Sequence, residues 1–210
     1  MYINSPKEIE SKSMDIIEEE MDKTSFTDEE KIVVKRIIHT TGDPSYKEII
    51  KFKEDFVGEF KKAILSGEKI YTDTNMTKAG VNKKALNKNN IEIVSYVSDP
   101  DIFEKAKKNG TTRSYAAIEK AVEEGVKVFS VGNAPTALFK LLEEVDKGFK
   151  PICIIGVPVG FVGAKESKEL LYSYNNIPLI TTLSTKGGSN VAASIINACL
   201  YMVTERDWKS

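Results

Sequence analysis

The segment VKVFSVGNAPT, residues 126–136, decides the fold class because an apolar strand pattern gives way there to a helix start. Residues 126–131 are rich in β-branched and aromatic side chains, as is typical of a buried strand. Gly132 ends that run, Asn133 is the predicted N-cap, and Pro135 stands near the first helical position, where a missing N–H is tolerated. The segment therefore predicts one strand–turn–helix unit of an α/β protein.

The same alternation continues on both sides of this segment. Helical patterns separate four further β-rich runs, at residues 69–73, 91–97, 151–157 and 177–183. The predicted helices lie near residues 101–109, 113–124, 135–147, 164–174 and 189–204. Because the strands are apolar almost throughout, we expect them to be buried on both faces of a doubly wound, five-stranded parallel sheet.

The N-terminal third of the chain has a helical pattern instead. Ser5 and Thr27 each stand three residues before a glutamate, which is the sequence signature of a capping box. A third helix is predicted over residues 54–65. We therefore predict a single domain, residues 1–210, with a helical N-terminal part (1–66) and an α/β core (67–210).

Composition excludes several classes of protein. The 210 residues include 30 Lys and Arg against 31 Asp and Glu, and this balance excludes a broadly basic nucleic-acid binder. No secretory signal pattern opens the chain, and the longest weakly polar stretch, residues 151–164, is too short to span a bilayer. Cys153 and Cys199 lie in apolar runs and are interpreted as buried free thiols. We therefore expect a cytoplasmic protein with no membrane or nucleic-acid partner.

The single histidine, His39, limits the chemistry that one chain could perform. It excludes a His₂ or His₃ metal site, so no metal site is predicted. His39 shares a predicted helix face with Arg36, and Asp43 follows at a distance that would allow it to orient the imidazole. A lone helical histidine is often structural, but imidazole is also the side chain best suited to proton transfer near neutral pH. Both interpretations stay open at this point.

Ligands of doubly wound sheets bind beyond the carboxyl ends of the strands, where small polar loops of this sequence are expected to meet. The helix starts at 132–136 and 186–189 suit an anionic group, although either could be a simple strand-to-helix turn. The glycine-containing loop 157–163 suits packing beneath a large flat ligand, or it is a rigid turn. It lacks the spacing of a dinucleotide fingerprint or a P-loop. Arg113 begins another helix and could bind a carboxylate or form a surface ion pair.

Taken together, these segments resemble the precorrin-8X and cobalt-precorrin-8 methylmutases of cobalamin biosynthesis. They occur in the family's order over nearly the whole chain, and the stretches at 132–139 and 156–168 are long enough to be specific. The matching residues are Arg36–His39, Asp73 with Met76, Thr112–Ser114, Gly132–Phe139, Gly156–Lys168 and Gly187–Ser189.

The resemblance implies a flavodoxin-like α/β fold, a homodimer and an isomerase without an organic cofactor. The implied reaction moves a methyl group from C-11 to C-12 of a tetrapyrrole and gives hydrogenobyrinate or its cobalt form, cobyrinate. Any cobalt belongs to this corrinoid substrate, and the implied catalytic residue is His39. The implied substrate-binding residues are Ser13, Arg36, Thr40, Asp73, Met76, Thr112, Arg113, Asn133, Ala134, Pro135, Thr136, Gly160, Phe161, Val162, Lys186, Gly187, Gly188 and Ser189.

The chain departs from the family pattern at a few positions, and two other functions stay open. Lys12 and Met14 stand where the family tends to have Arg and Phe, and Thr185 stands where it tends to have Arg. A corrinoid-binding carrier would use the same loops without needing His39. A phosphate- or nucleotide-binding module would use the two glycine-containing helix starts described above.

Overall fold

The computed structural model describes residues 4–21 and 24–204, and six strands of this part form one sheet with helices on both faces. The strands are β1 (Ile50–Lys53), β2 (Ile70–Asp73), β3 (Ile93–Val94), β4 (Val128–Val131), β5 (Cys153–Gly156) and β6 (Leu179–Thr182). The helices are α1 (Pro6–Glu20), α2 (Asp28–Thr41), α3 (Tyr46–Ile49), α4 (Phe56–Leu65), α5 (Asn75–Gly80), α6 (Lys83–Lys88), α7 (Pro100–Asn109), α8 (Arg113–Glu123), α9 (Pro135–Asp146), α10 (Ala164–Ser173) and α11 (Ser189–Val203).

The strand order across the sheet is β1-β6-β5-β4-β2-β3. Strands β2 to β6 run parallel to their neighbours, and their order is that of flavodoxin-like sheets, in which the chain reverses direction beside the first parallel strand. The predicted α/β class and flavodoxin-like topology are therefore confirmed. The reversal point lies between β2 and β4, whose carboxyl ends carry Asp73 and Gly132.

The predicted number of strands, five, is wrong because a sixth strand joins the sheet. Strand β1 lies inside the part of the chain that was predicted to be helical, and it pairs antiparallel with β6, with Ile50 opposite Thr182. Its four residues, IKFK, include two lysines and lie in no longer apolar run, so the sequence does not identify them as a strand, and their conformation is fixed by pairing with β6. The predicted N-cap of α9 is also wrong, since Ala134 occupies that position in place of Asn133.

The core has two halves, one on each face of the sheet. On one face the apolar sides of α1, α2, α4, α6 and α11 pack against strand residues such as Val128 and Ile155. On the other face α7, α8, α9 and α10 pack against residues such as Phe129 and Ile154. All residues of β2, β4, β5 and β6 are buried, as expected of strands covered on both faces.

Helix α11 is the central helix of the first face and fixes the position of α2 against the sheet. Helix α2 begins with the predicted capping box, in which Thr27 and Glu30 each accept the other's backbone N–H. It ends at Gly42, whose left-handed conformation (φ 66°) suits a residue without a side chain. His39 therefore lies in the last turn of a helix that is capped at both ends and packs against α11.

Two further predictions concern thiols and membranes. Cys153 and Cys199 are free and buried, as predicted, and burial raises the pKa of both thiols. Within residues 4–21 and 24–204, every helix is too short or too polar to cross a bilayer.

Candidate active site

The loops that follow the parallel strands meet at the carboxyl edge of the sheet, as the topology requires. The segment after β5 contacts the segment before α11, because the Gly188 N–H donates to the Val157 carbonyl at 2.9 Å. The Gly160 N–H donates to the Thr185 carbonyl at 3.1 Å. The segment after β4 contacts the end of β2, where the Gly132 N–H donates to the Asp73 carbonyl at 3.0 Å.

Asp73, the last residue of β2, is fully buried and joins two helix starts. Its Oδ1 accepts a hydrogen bond from Ser114 Oγ at 2.8 Å, and its Oδ2 accepts one from the Ala134 N–H at 2.6 Å. Burial raises the pKa of this carboxyl group, and the hydrogen bonds oppose that effect. Both oxygens are thus engaged inside the protein. This geometry favours a positioning role for Asp73 over the direct substrate contact predicted from the sequence.

A cleft of about 400 Å³ opens beside these two helix starts. Three of its residues were predicted, namely Thr112, Arg113 and Asn133, and the Thr112 and Thr136 hydroxyl oxygens lie 2.8 Å apart at its edge. The cleft is large enough for a carboxylate-bearing arm but small for a whole tetrapyrrole. Sequence reasoning missed its other lining residues, which are Thr74, Asn75, Val97, Ser98 and Ser114.

The rule that ligands bind beyond strand ends could have found some of those missed residues. Thr74 and Asn75 directly follow β2, and Ser98 comes soon after β3. The Asn75 side-chain amide donates to Ser98 Oγ at 2.8 Å, so these polar groups lie together. Because these residues follow the ends of two neighbouring strands, the sequence could have marked them as candidate ligand-binding residues.

Apolar side chains of the same edge extend into solvent. Phe161 and Val162 are 93% and 89% exposed, and Met76, at the start of α5, is also exposed. Large apolar side chains exposed together are typical of surfaces that contact a ligand or another protein. The predicted flat-ligand loop therefore has apolar side chains available at its tip.

Lys186 links the loop before α11 to the end of α2. Its ammonium group donates to Asp43 Oδ2 at 2.6 Å and to Ser45 Oγ at 2.8 Å. The hydrogen bond from Lys186, with those from Ser45, lowers the pKa of the Asp43 carboxyl to about 2. Asp43 thus fastens this loop, which differs from its predicted role of orienting the imidazole of His39.

His39 and Thr40 are both exposed in the last turn of α2. Arg36, one turn earlier, is half-buried, with its guanidinium carbon 5.4 Å from the centroid of the Tyr201 ring in α11. Since Asp43 follows His39 by one helical turn, the bond from Lys186 to Asp43 brings the loop before α11 to the helix end that carries His39. The exposed imidazole therefore lies at the end of α2 that this loop contacts.

Ser13 is the predicted site residue with the least evident connection to the edge. It lies in α1, and its hydroxyl donates to the Ile9 carbonyl at 2.7 Å within the same helix. Helix α1 packs on α2 through residues such as Ile17. The hydrogen bond of Ser13 that the structure describes is local and gives no indication of a ligand contact.

Lys168 is a buried cation that the sequence analysis did not single out. Its ammonium group donates to the Lys186 carbonyl at 2.8 Å and to Thr182 Oγ1 at 3.3 Å. Burial lowers the pKa of this lysine to about 8. The sequence did contain an indication that Lys168 faces the core, since its spacing places it on one helix face with Ala164, Ser167 and Leu171. All four residues are buried in the structure.

The assembled edge offers hydrogen-bond donors and cations rather than metal ligands. In the part of the chain that the structure describes, no group of three or more His, Cys, Asp or Glu side chains could hold a metal ion. Arg113, the hydroxyls of the cleft and the helix starts all suit anionic groups, whereas the ammonium group of Lys186 is paired with Asp43. With the exposed apolar loop, they suit a broad ligand that carries carboxylates.

Comparison with known proteins identifies one family. The sequence profile of precorrin-8X methylmutase matches residues 8–202. The chain is 43% identical to the cobalt-precorrin-8 methylmutase of Salmonella typhimurium over 211 residues, which cover 97% of this chain and 99% of that protein. It is 41% identical to the cobalt-precorrin-8 methylmutase of Priestia megaterium, over 92% of this chain and 86% of that protein.

The fold is also similar to that of a solved structure. The precorrin-8X methylmutase of Thermus thermophilus superimposes with a TM-score of 0.86 at 35% identity, covering 92% of this chain and 94% of the other. The sequence match and the shared fold each extend over almost the whole chain. This chain therefore belongs to the precorrin-8X methylmutase family, a family of isomerases.

Proposed function

We propose that this protein converts cobalt-precorrin-8 into cobyrinate by moving a methyl group from C-11 to C-12 of the macrocycle, as a step of cobalamin biosynthesis. The relatives from Salmonella typhimurium and Priestia megaterium, both above 40% identity, are named for the cobalt-containing substrate. Their names support the cobalt form over metal-free precorrin-8X. The cobalt ion is then part of the substrate.

The observation that carries the proposal is the exposed His39 at a sheet edge that offers donors for carboxylates. Arg113 and the hydroxyls around it line the cleft, where a peripheral carboxylate of the macrocycle would bind. Lys186 holds its loop against the helix end that carries His39. The macrocycle itself would lie outside the small cleft, against the exposed Phe161 and Val162.

The chemistry proposed for this site requires few groups. The bond from the methyl carbon to C-11 breaks and a bond to C-12 forms, so substrate and product contain the same atoms and no external donor or acceptor is consumed. The protein's task is to hold one reactive form and to stabilise the charge that shifts within the ring. The His39 imidazole would share a proton with the macrocycle near the migrating methyl group.

A direct assay tests this proposal. The protein is incubated separately with cobalt-precorrin-8 and with precorrin-8X, and the product is followed by its visible spectrum. We expect turnover, faster with the cobalt form. His39→Ala is expected to lower turnover at least about 100-fold, the usual contribution of general acid–base catalysis, while its visible spectrum still shifts and saturates on titration with cobyrinate.

The alternatives predict different results in the same experiments. A carrier would bind cobyrinate but convert neither precorrin, and His39→Ala would then change nothing. A nucleotide-binding module would give saturable binding of FMN or ATP, whereas we expect none. Wild-type turnover in His39→Ala would contradict the catalytic assignment of this residue while leaving the reaction itself in place.

A homodimer is part of the same proposal, since the family resemblance implies one. The exposed apolar side chains Val159, Phe161 and Val162 support it, because association or a bound ligand would remove them from water. The cytoplasmic location expected from the sequence is proposed with it.

A further inference from the structure

Lys168 is a buried cation that the proposed reaction does not use. Its side chain is fully buried in α10, and none of the ion pairs in residues 4–21 and 24–204 includes it. An ammonium group is costly to bury without a carboxylate partner. Two neutral oxygens of the protein, one from a carbonyl and one from a hydroxyl, take the place of such a partner.

Those two oxygens belong to one small network centred on the Lys186 carbonyl. Lys168 Nζ donates to this carbonyl at 2.8 Å, and Thr182 Oγ1 donates to it at 2.8 Å from β6. The carbonyl therefore accepts two hydrogen bonds from two different elements. Its position relative to α10 and the sheet is fixed by both.

The loop that contains this carbonyl is held on its other sides as well. The side chain of Lys186 extends to Asp43, at 2.6 Å, on the far side of the loop. A Cβ atom on Gly187 would lie 2.2 Å from the Val157 carbonyl oxygen, so the two backbones are in close contact there. Lys168 is thus the one charged group that anchors loop 184–188 from inside the protein, among the residues that the structure describes.

We propose that Lys168 is a positioning residue of the methylmutase, which sets loop 184–188, and with it the start of α11, for binding the substrate's carboxylates. The proposal rests on the proposed function. Lys168 acts through the Lys186 carbonyl and does not touch the substrate. Its loss therefore affects binding more than the proton transfer at His39.

The variant Lys168→Met tests this role. Methionine keeps the length and volume of the side chain but cannot donate a hydrogen bond. We expect KM for cobalt-precorrin-8 to rise about tenfold and the Kd of cobyrinate to rise similarly, which is the size of effect expected from one lost charged hydrogen bond. We expect kcat to stay within about threefold. The melting temperature should equal or exceed that of the wild type, because an unpaired buried charge is replaced by an apolar group.

Two further variants complete the design. Lys165→Met removes an exposed lysine from the same helix, which pairs with Glu169 at 3.5 Å, and should change neither KM nor Kd. Thr182→Val removes the second donor to the Lys186 carbonyl and the longer of the two hydrogen bonds of Lys168, and it should raise both constants by a smaller factor, about threefold, because Lys168 still donates to the carbonyl. Because both changes act on one carbonyl, their combined effect should differ from the product of the single effects.

The outcomes separate this proposal from the proposed function. The assay of the wild type with cobalt-precorrin-8 tests the proposed methylmutase function and does not depend on the role of Lys168. Wild-type KM and Kd in Lys168→Met overturn the positioning role, as does a lower melting temperature with unchanged KM, which would identify a purely structural lysine. If Lys168→Met does not fold, Thr182→Val becomes the test of the positioning role. Unchanged KM and Kd in that variant would then overturn the proposal.

Discussion

Asp73 illustrates at the scale of one residue how a buried carboxylate can organise a site without lining it. Its carboxylate accepts one hydrogen bond from a hydroxyl group in the first turn of α8 and another from a backbone N–H at the start of α9. Helix α9 has no side-chain cap of its own, so Asp73 supplies an acceptor from the neighbouring strand. The relative position of the two helix starts, and hence the shape of the cleft, depends on this side chain.

Replacement of Asp73 by Asn tests that dependence. The amide oxygen can accept from the Ala134 N–H, but the amide nitrogen can only donate to the Ser114 hydroxyl, and both hydrogen bonds lose the negative charge that strengthens them. We expect the free energy of unfolding to fall by about 2 kcal/mol, measured by urea denaturation, and cobyrinate to bind more weakly. Ser114→Ala, which removes one donor and keeps the carboxylate, should cost about 1 kcal/mol. Equal stability of Asp73→Asn and the wild type would contradict the positioning role.

Individual site residues differ in how far the sequence could predict them. His39 and Arg113 are identifiable because each belongs to a scarce residue type, and both are exposed at or near the sheet edge. Lys168 was missed although helical spacing placed it on the inward face of α10. A lysine is normally interpreted as solvated, and the oxygens that allow this one to be buried come from residues 182 and 186, beyond any local pattern.

At the scale of elements, loop 184–188 is the segment whose path is most constrained. Gly187→Ala would place its Cβ 2.2 Å from the Val157 carbonyl oxygen, so one backbone must move. We expect a loss of about 2 kcal/mol in the free energy of unfolding and weaker cobyrinate binding, measured by denaturation and by visible titration.

Gly148→Ala is the matched control for that variant. Gly148 also has a positive φ, 102°, but a Cβ atom added there would have no neighbouring heavy atom within 4 Å, and the residue follows α9 at a turn. The strain of the backbone should cost about 1 kcal/mol and leave the affinity unchanged. Equal effects of the two variants on affinity would contradict the importance of the contact between loop 184–188 and Val157.

The predictable elements were those with a full local pattern. The five parallel strands and helices α7 to α11 lie where the sequence predicted them, because each strand lies inside a longer apolar run and each helix is long enough to show its period. Strand β1 has four residues, two of which are lysines, and helices α3, α5 and α6 have between four and six residues. These elements lie in no longer apolar or periodic run and depend on pairing and packing with distant residues, so their local sequence contains little information about them.

At the scale of the whole molecule, we expect two chains to associate. One chain has a mass of 23.4 kDa, and we expect sedimentation equilibrium to give twice that value at micromolar concentration. The family resemblance implies the homodimer, and the exposed apolar loop, with Phe161 93% exposed, is a surface that a partner subunit or the macrocycle would cover. A single-chain mass at every concentration tested would contradict the homodimer.

Whole-chain composition also gives a limited view of how the molecule recognises its ligand. A net charge of −1 argues against a broadly basic surface, yet the proposed substrate is an anion with many carboxylates. Local placement resolves this, since Arg113 and the start of α8 line the cleft. Such placement depends on the fold and is invisible in a count of charges.

The ion pair between Lys186 and Asp43 joins residues 143 positions apart in the sequence. Helix α2, which carries His39, emerges from a translating ribosome well before α11, against which it packs. A nascent chain that has not yet exposed α11 thus contains the histidine but not the helix that holds α2 in place. The site is completed only after α11 has been released, and until then the apolar face of α2 is a surface on which chaperones would act.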